Sequence, residues 1–303
     1  MNFLEQYVKK HLGWSSLLVK KAYGDLQQAY RSKQQVGYTG LEQIQAYVFT
    51  RFPATYGVCV KLIKQHLLDL NIHSVLDWGS GIGTASLALN KYFENLECFL
   101  VEQDSRAKSF AAQFLKNFYP NINVYQHDDF SAVDLSIFSY SLGEVSDWQT
   151  VIDKSWNRTK YLLIIEPGTP AHFKKLIKVR DYLLAKKAYL WAPCCHAKLC
   201  PLKNDDWCHF SARIDRSKEH KNLKNASRGF ENEAYSYMLF SKDPKSTDFG
   251  RVVSSPRIHG GHVDLKICTN QGEILYSTAG KSAKDYKTLK KTEWGDSIKH
   301  ELL

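Results

Sequence analysis

The sequence predicts an α/β protein built on a parallel sheet, and three observations carry this. From His73 onward, short apolar runs alternate with amphipathic stretches, which is the rhythm of βαβ units. The first apolar run ends in Asp77 and passes at once into Gly79-Ser80-Gly81-Ile82-Gly83 and the helix-like TASLALNKYF, a strand–turn–helix unit. At 303 residues, 44% of them hydrophobic, the chain can close a large core.

Residues 1–70 read as a helical cap. Apolar positions recur at helical spacing in LEQIQAYVFTRF and again in YGVCVKLIKQHLLDL, and Pro53 suits a helix start between them. Strands are expected at 74–79, 97–102, 123–127, 134–141 and 161–166, with helices between them. The stretch AHFKKLIKVRDYLLAKK has one apolar and one cationic face and follows the fifth strand as a helix. Residues 191–232 are rich in Cys, His and Trp without a clear period. They read as an insertion organised by something other than a hydrophobic core. Strand character resumes at 234–241, and VDLKICTNQGEILYSTAGK reads as a hairpin turning at Asn270-Gln271-Gly272. The expected organisation is therefore a helical region at 1–70, a main domain from 71–190 and 233–303, and a cysteine-rich insertion at 191–232.

A formal charge of +10 favours a polyanionic partner, RNA first, and Lys/Arg clusters recur at Lys174 to Arg180, Arg213 to Lys224 and Lys281 to Lys291. Lysine is also an ordinary solvating residue on helix faces, so charge alone does not decide. No apolar run is long enough to span a bilayer, and the start MNFLEQYVKKHLGW has neither a signal core nor a cleavage site. The expectation is a soluble protein without a membrane partner, monomeric, and cytoplasmic in preference to the mitochondrial matrix because no transit peptide is evident.

Seven cysteines in a long chain without an export signal do not read as a disulfide framework. Cys59 and Cys98 stand alone in apolar stretches, where a buried inert thiol is the ordinary reading.

The glycine loop has the features a nucleotide-like ligand requires, since glycines let backbone approach the ligand at the start of a helix. Its Gly-x-Gly-x-Gly spacing fits class I methyltransferases better than the Gly-x-Gly-x-x-Gly of NAD enzymes. Glu102 ends the second strand, nineteen residues after Gly83, where a carboxylate can accept hydrogen bonds from both ribose hydroxyls. Asp128 and Asp129, beyond the third strand, stand where these enzymes commonly recognise the adenine amino group. The candidate S-adenosylmethionine set is Asp77, Gly79, Ser80, Gly81, Gly83, Thr84, Glu102, Asp128, Asp129 and Ser141. The fold class is thus a Rossmann-like class I methyltransferase domain with an N-terminal helical cap and a cysteine-rich metal-binding insertion.

The methyl acceptor is not legible. Where amino-methylating enzymes carry a polar-Pro-Pro-aromatic motif, this chain has Ser141-Leu142-Gly143-Glu144. Pro193-Cys194 resembles the nucleophile dipeptide of RNA cytosine-C5 methyltransferases, yet it follows the fifth strand and theirs the fourth. Glu144 and Glu166 could serve the pocket or equally be structural carboxylates at strand ends. No catalytic base is named by the sequence.

Cys194, Cys195, Cys200 and Cys208 crowd into fifteen residues, and Cys268 follows on a later strand. Clustered thiolates in a reducing compartment usually hold a metal. Cys194, Cys200, Cys208 and Cys268 would satisfy an iron-sulfur cluster or a tetrahedral zinc, and softness does not separate the two. His196 and His209 are spare candidates. Cys195 is set aside, because side chains of adjacent residues diverge.

The chain resembles the methyltransferase-like proteins associated with the bacterial and mitochondrial small ribosomal subunit, the Rsm-type assembly factors. The resemblance spans nearly the whole length and rests on RFPATYGV, VLDWGSGIGTA, VEQD, SYSLGEV, IIEPGTPAHFKKLIKVRDYL, APCCHAKLCPL, DWCHFSAR, SPRIHGGHVDLKIC and EWGD in that order. It implies S-adenosylmethionine binding, a 4Fe-4S cluster on Cys194, Cys200, Cys208 and Cys268, and binding to the small subunit and its rRNA. The family usually has Cys-Pro-His where this chain has Cys194-Cys195-His196. The expected function is an S-adenosylmethionine-dependent methyltransferase-like protein acting on small-subunit rRNA or on ribosome assembly. The rival is a non-catalytic iron-sulfur assembly or translation factor that binds rRNA.

Overall fold

The computed structural model describes residues 2–31, 38–120, 122–125, 132–202, 206–245 and 249–299. Four helices come first: α1 (Asn2–His11), α2 (Ser16–Arg31), α3 (Leu41–Thr50) and α4 (Phe52–His66). The alternation follows with β1 (Ser74–Trp78), α5 (Thr84–Asn90), β2 (Glu97–Val101), α6 (Ser105–Phe118), β3 (Asn123–Tyr125), β4 (Val133–Ser139), α7 (Trp148–Asn157), β5 (Thr159–Pro167) and α8 (Pro170–Ala185). The remainder comprises β6 (Tyr189–Ala192), β7 (Phe210–Asp215), α9 (Lys218–Lys224), β8 (Phe230–Ser241), β9 (Phe249–Val252), β10 (Arg257–Ile258), β11 (His262–Cys268), β12 (Ile274–Gly280), α10 (Tyr286–Leu289) and β13 (Ser297–Lys299).

Two compact units result, Met1–Ser146 with Ala212–Glu233, and Asp147–Ser211 with Ala234–Leu303. In the first, β3, β2, β1 and β4 form a parallel sheet in that order, with Val75 of β1 opposite Cys98 on one side and Leu135 on the other. The order 3-2-1-4 is that of a doubly wound, Rossmann-like α/β fold, as expected. Asp104 caps α6 by accepting from the backbone N–H of Arg106 and Ala107. The buried residues Ala107, Phe110, Ala111, Phe114 and Leu115 form the apolar stripe of that helix. Pro53 stands in the first turn of α4, where its missing N–H costs nothing.

The same unit contains most of β7 and all of α9, which lie within the stretch expected to lack regular structure. Phe210, Ala212 and Ile214 are buried in strict alternation with more exposed neighbours, the period of a strand. The density of Cys, His and Trp just before them obscured that period. Ile214 packs so closely on α4 that a Cβ on Gly57 would lie 2.3 Å from its Cδ1. Glu231 of β8 ties the segment together, accepting from Arg216 at 2.8 Å and Lys224 at 2.9 Å.

In the second unit β8 lies between β5 and β6, antiparallel to both. The fifth strand thus pairs antiparallel with β8, a partner the repeating βαβ pattern gives no hint of. Thr169 caps α8, and Pro170 occupies its first turn. A second sheet runs β10-β11-β9-β13, with β12 also paired to β11. Val252, Val263, Leu265, Ile267, Ala279 and Ile298 meet Tyr286 and Leu289 of α10 in its core. The expected hairpin is β11–β12, and Gly272 takes a φ of +78° in its turn. Among the described residues no helix is long and apolar enough to cross a membrane.

Candidate cofactor and metal sites

In the first unit the glycine loop leaves the end of β1 and is pinned to β2: the N–H of Gly79 donates to the Val101 carbonyl at 2.7 Å, and that of Ser80 to the same oxygen at 3.2 Å. Gly79, Gly81 and Gly83 have φ of +63°, +52° and +79°, a region that L side chains rarely adopt. Gly79 has a second constraint, because a Cβ there would lie 2.5 Å from Cβ of Ser141. Ser141 in turn donates from Oγ to the Trp78 carbonyl at 2.6 Å, closing the loop against the end of β4. A Cβ on Gly81 would meet nothing within 4 Å, so the space over it is open.

Two carboxylates frame this loop. Glu102 accepts from the Gly81 N–H at 2.7 Å and from the Asp104 N–H at 2.8 Å, which fixes its orientation and leaves lone pairs for further donors. Asp77 is buried and accepts from both N–H and Oγ of Ser86. Ser80 Oγ is buried with no hydrogen-bond partner among the described residues, a polar atom that a bound ligand could satisfy. Thr84 opens α5 with its side chain buried. The loop therefore brings together Asp77, Gly79, Ser80, Gly81, Gly83, Thr84, Glu102 and Ser141, whereas Asp128 and Asp129 lie outside the described residues.

Burial pushes the Asp77 carboxyl up from 3.8 to about 6, against the lowering effect of Ser86. The folded state thus binds a proton more tightly than the unfolded one, so Asp77 costs stability as pH rises from about 4 through 6, by about 3 kcal/mol in all. Asp77→Asn removes this slope. Denaturant unfolding at pH 5 and pH 7 is expected to show wild type losing more stability than the variant between those pH values. Equal losses would contradict the burial of an ionised Asp77.

Sequence reasoning missed two neighbours. Tyr140, just after β4, has a φ of +59°, an unusual conformation of the kind that recurs at functional sites. The Arg51 guanidinium lies 5.5 Å from its ring centroid and pairs with both carboxylate oxygens of Glu233. No local motif marks either residue. At Glu144, in the short 3₁₀ turn Leu142–Glu144, desolvation and then the charge of Glu102 raise the carboxyl pKa. Cys59 and Cys98 are fully buried, and burial pushes both thiols up to about 12, so they are inert as expected.

In the second unit Cys194, Cys200, Cys208 and Cys268 all line one cavity of about 30 Å³. Burial and then the charges of Cys194 and Cys200 raise the Cys208 thiol, and burial raises Cys194 to about 11. Hydrogen bonding to Cys195 is the largest influence raising Cys268. Cys195 is fully buried beside Val253 and Cys268, donates to the Cys268 carbonyl at 3.1 Å, and does not line the cavity. His196 lines it and places Nε2 3.4 Å from the Cys268 sulfur. His209 instead contacts the Trp207 carbonyl and stacks on that ring.

Two buried cations flank the thiols. Arg180, 1% exposed, donates to the carbonyls of His196 and Lys198 and pairs with Asp181, so it is not available to a nucleic acid as its place in a cationic stretch suggested. Arg251 donates to the Pro193 and Gly295 carbonyls, and among the described residues it has no carboxylate partner. Glu166 is buried at the end of β5, with Oε2 3.7 Å from Nε2 of His172.

A sequence model of the family described as "Mitochondrial small ribosomal subunit Rsm22" matches residues 41–299. The chain belongs to the Rsm22 family. That match covers most of the chain, including the glycine loop and all four cavity cysteines. The family description concerns the mitochondrial small ribosomal subunit, which fits the matrix alternative and gives no support to the cytoplasmic preference. A search of curated proteins finds no match.

Solved structures similar to this Rsm22-family chain include a protein of Pyrococcus horikoshii assigned as an RNA methyltransferase, at 17% identity over 62% of this chain and 81% of that one, TM-score 0.43. A precorrin-6y C5,15-methyltransferase of Geobacter metallireducens follows at 16% identity over 61% and 86% of the two chains, TM-score 0.41. A third, from Aquifex aeolicus, is described as a SAM dependent methyltransferase and matches at 13% identity over 63% and 94%, TM-score 0.40.

Proposed function

We propose that this chain binds S-adenosylmethionine on the glycine loop and acts as a methyltransferase on the RNA of the small ribosomal subunit. The family match over residues 41–299 carries the reading, together with a loop whose glycines, carboxylates and unpartnered Ser80 hydroxyl suit a nucleoside ligand. Glu102 holds the ribose hydroxyls, Gly79 and Gly81 let the backbone approach, and Asp77 orients the loop through Ser86. When bound, the cofactor supplies a methyl group on a sulfonium. Asp128 and Asp129 are assigned to the adenine amino group on sequence position. Exposed Lys281, Lys284, Lys287, Lys290 and Lys291 around α10, and Lys174 and Lys178 on α8, suit phosphate contacts. The site of action in this reading is the mitochondrial matrix, and the protein works as a monomer.

Cys194, Cys200, Cys208 and Cys268 are proposed to hold a 4Fe-4S cluster within the segment 191–232 and the facing strand. Four thiolate donors suit such a cluster, with tetrahedral zinc as the alternative, and Arg180 and Arg251 would offset its negative charge. The cluster's contribution is structural, fixing the loop between β6 and β7, which has no helix or strand among its described residues.

The test is transfer of a labelled methyl group from S-adenosylmethionine to small-subunit RNA taken from cells lacking the protein. Wild type is expected to label the RNA and Glu102→Ala to lower the rate at least tenfold. No labelling, with subunit maturation fully restored by Glu102→Ala, would favour the non-catalytic assembly factor.

A further inference from the structure

The hairpin β10–β11 carries a group of side chains that neither the glycine loop nor the cysteines use. His259 and His262 flank Gly260-Gly261, and the His259 N–H donates to the His262 carbonyl at 2.9 Å, which fixes both backbones. The two imidazoles stack, with centroids 4.3 Å apart and planes 17° from parallel. Both aim Nε2 at one oxygen, Oδ2 of Asp264, at 3.2 Å from His259 and 3.7 Å from His262. These three ligand atoms all lie within 4.8 Å of one another, and they are the group of this kind found among the described residues.

Hydrogen bonding does not account for the arrangement. One imidazole N–H can donate to Oδ2 at 3.2 Å, but 3.7 Å is too long for a second. Protonating both rings would place two cations face to face. A single ion between the three atoms removes both difficulties: ligands 2.0–2.1 Å from a metal and 90–109° apart are about 2.9–3.3 Å from each other, so the two separations to Oδ2, 3.2 and 3.7 Å, are already near that range, and binding requires the stacked rings to turn so that both imidazoles face the ion.

The outer shell is already formed. Thr278, directly opposite Asp264 on β12, donates from Oγ1 to Oδ1 at 2.7 Å, so the carboxylate is held by one oxygen and offers the other. Opposite His262 stands Gly280, where a Cβ would meet nothing within 4 Å, and the same holds for Gly260 and Gly261. Open space therefore stands over each of these three glycines.

We infer that His259, His262 and Asp264 form a divalent transition-metal site, Zn²⁺ foremost, with the remaining coordination positions open to water. Two neutral imidazoles and one carboxylate are the ligand set of open zinc sites and of facial-triad sites, and they are too nitrogen-rich for Mg²⁺ or Ca²⁺.

Co²⁺ titration of the full chain, purified without oxygen, tests this. In the difference spectrum against the cobalt-free protein, one equivalent is expected to add visible d–d bands and no sulfur-to-cobalt charge-transfer band, to be displaced by Zn²⁺, and to persist in Cys200→Ser. His262→Ala and Asp264→Ala should each weaken it at least tenfold, and Thr278→Val by about tenfold, while the metal-free variants keep the wild-type far-ultraviolet circular dichroism because the three ligands are partly exposed on a surface hairpin. Absence of any sulfur-free Co²⁺ band, or the same affinity in His262→Ala and Asp264→Ala as in wild type, overturns the assignment.

Discussion

Gly79→Ala is expected to abolish S-adenosylmethionine binding, lowering affinity by about 100-fold or more, and to destabilise the protein by about 3 kcal/mol. Two costs combine there: a φ of +63° that an L side chain resists, and a methyl placed 2.5 Å from Cβ of Ser141, whose hydroxyl holds the Trp78 carbonyl. Gly81→Ala provides the contrast. Its φ of +52° carries the first cost, about 1–2 kcal/mol, but no atom lies within 4 Å of the added methyl. Calorimetric titration and denaturant unfolding of both variants check the pair. A Gly79→Ala protein as stable as Gly81→Ala, with wild-type cofactor affinity, would mean that the loop is not packed against Ser141 as described.

The second large effect concerns the cavity cysteines. Cys208→Ser is expected to lose iron, sulfide and visible absorption together and to unfold at a markedly lower temperature, because a structural metal group contributes folding free energy outright. Arg251→Met separates charge from ligation. In cluster-free protein Arg251→Met removes a buried cation with no carboxylate among the described residues but also leaves the Pro193 and Gly295 carbonyls without their donor, so it should cost only about 1–2 kcal/mol. In loaded protein the same substitution removes a charge that offsets an anionic cluster, so it should destabilise and make the cluster harder to reduce. Thermal melts of loaded and stripped protein, with a potentiometric titration of the loaded form, read the larger loss expected in the loaded form. Equal losses in both forms, with an unchanged potential, would detach Arg251 from the cluster.

Periodicity reveals elements whose burial is one-sided and local. The alternation that defines β1, β2 and β4 and the apolar stripe of α8 could be read directly, because each buries a face whose period survives in the chain. β7 could not, although Phe210, Ala212 and Ile214 are as regular, because the ten residues before it carry no period and their unusual composition drew a single irregular segment across both. The strand partners of β5 and β8 depend on chain that returns seventy residues later, and no local pattern encodes them. Site residues divide similarly. Gly79, Gly81, Gly83 and Glu102 announce themselves because backbone approach to a ligand demands glycine at fixed offsets. Arg51 and Tyr140 meet only through the packing of α3 and α4 on the end of β4. His259 and His262 are different: two histidines three apart with an aspartate two further on are a local signal, and their meaning became clear only once the β10–β11 turn set both rings on one carboxylate.

The central claim is that the glycine loop takes S-adenosylmethionine, and calorimetric titration of the full chain with S-adenosylmethionine and, separately, with NAD tests it most directly. The account predicts one equivalent of S-adenosylmethionine bound, at least tenfold weaker in Glu102→Ala, and no binding of NAD. Binding of NAD with none of S-adenosylmethionine would contradict it.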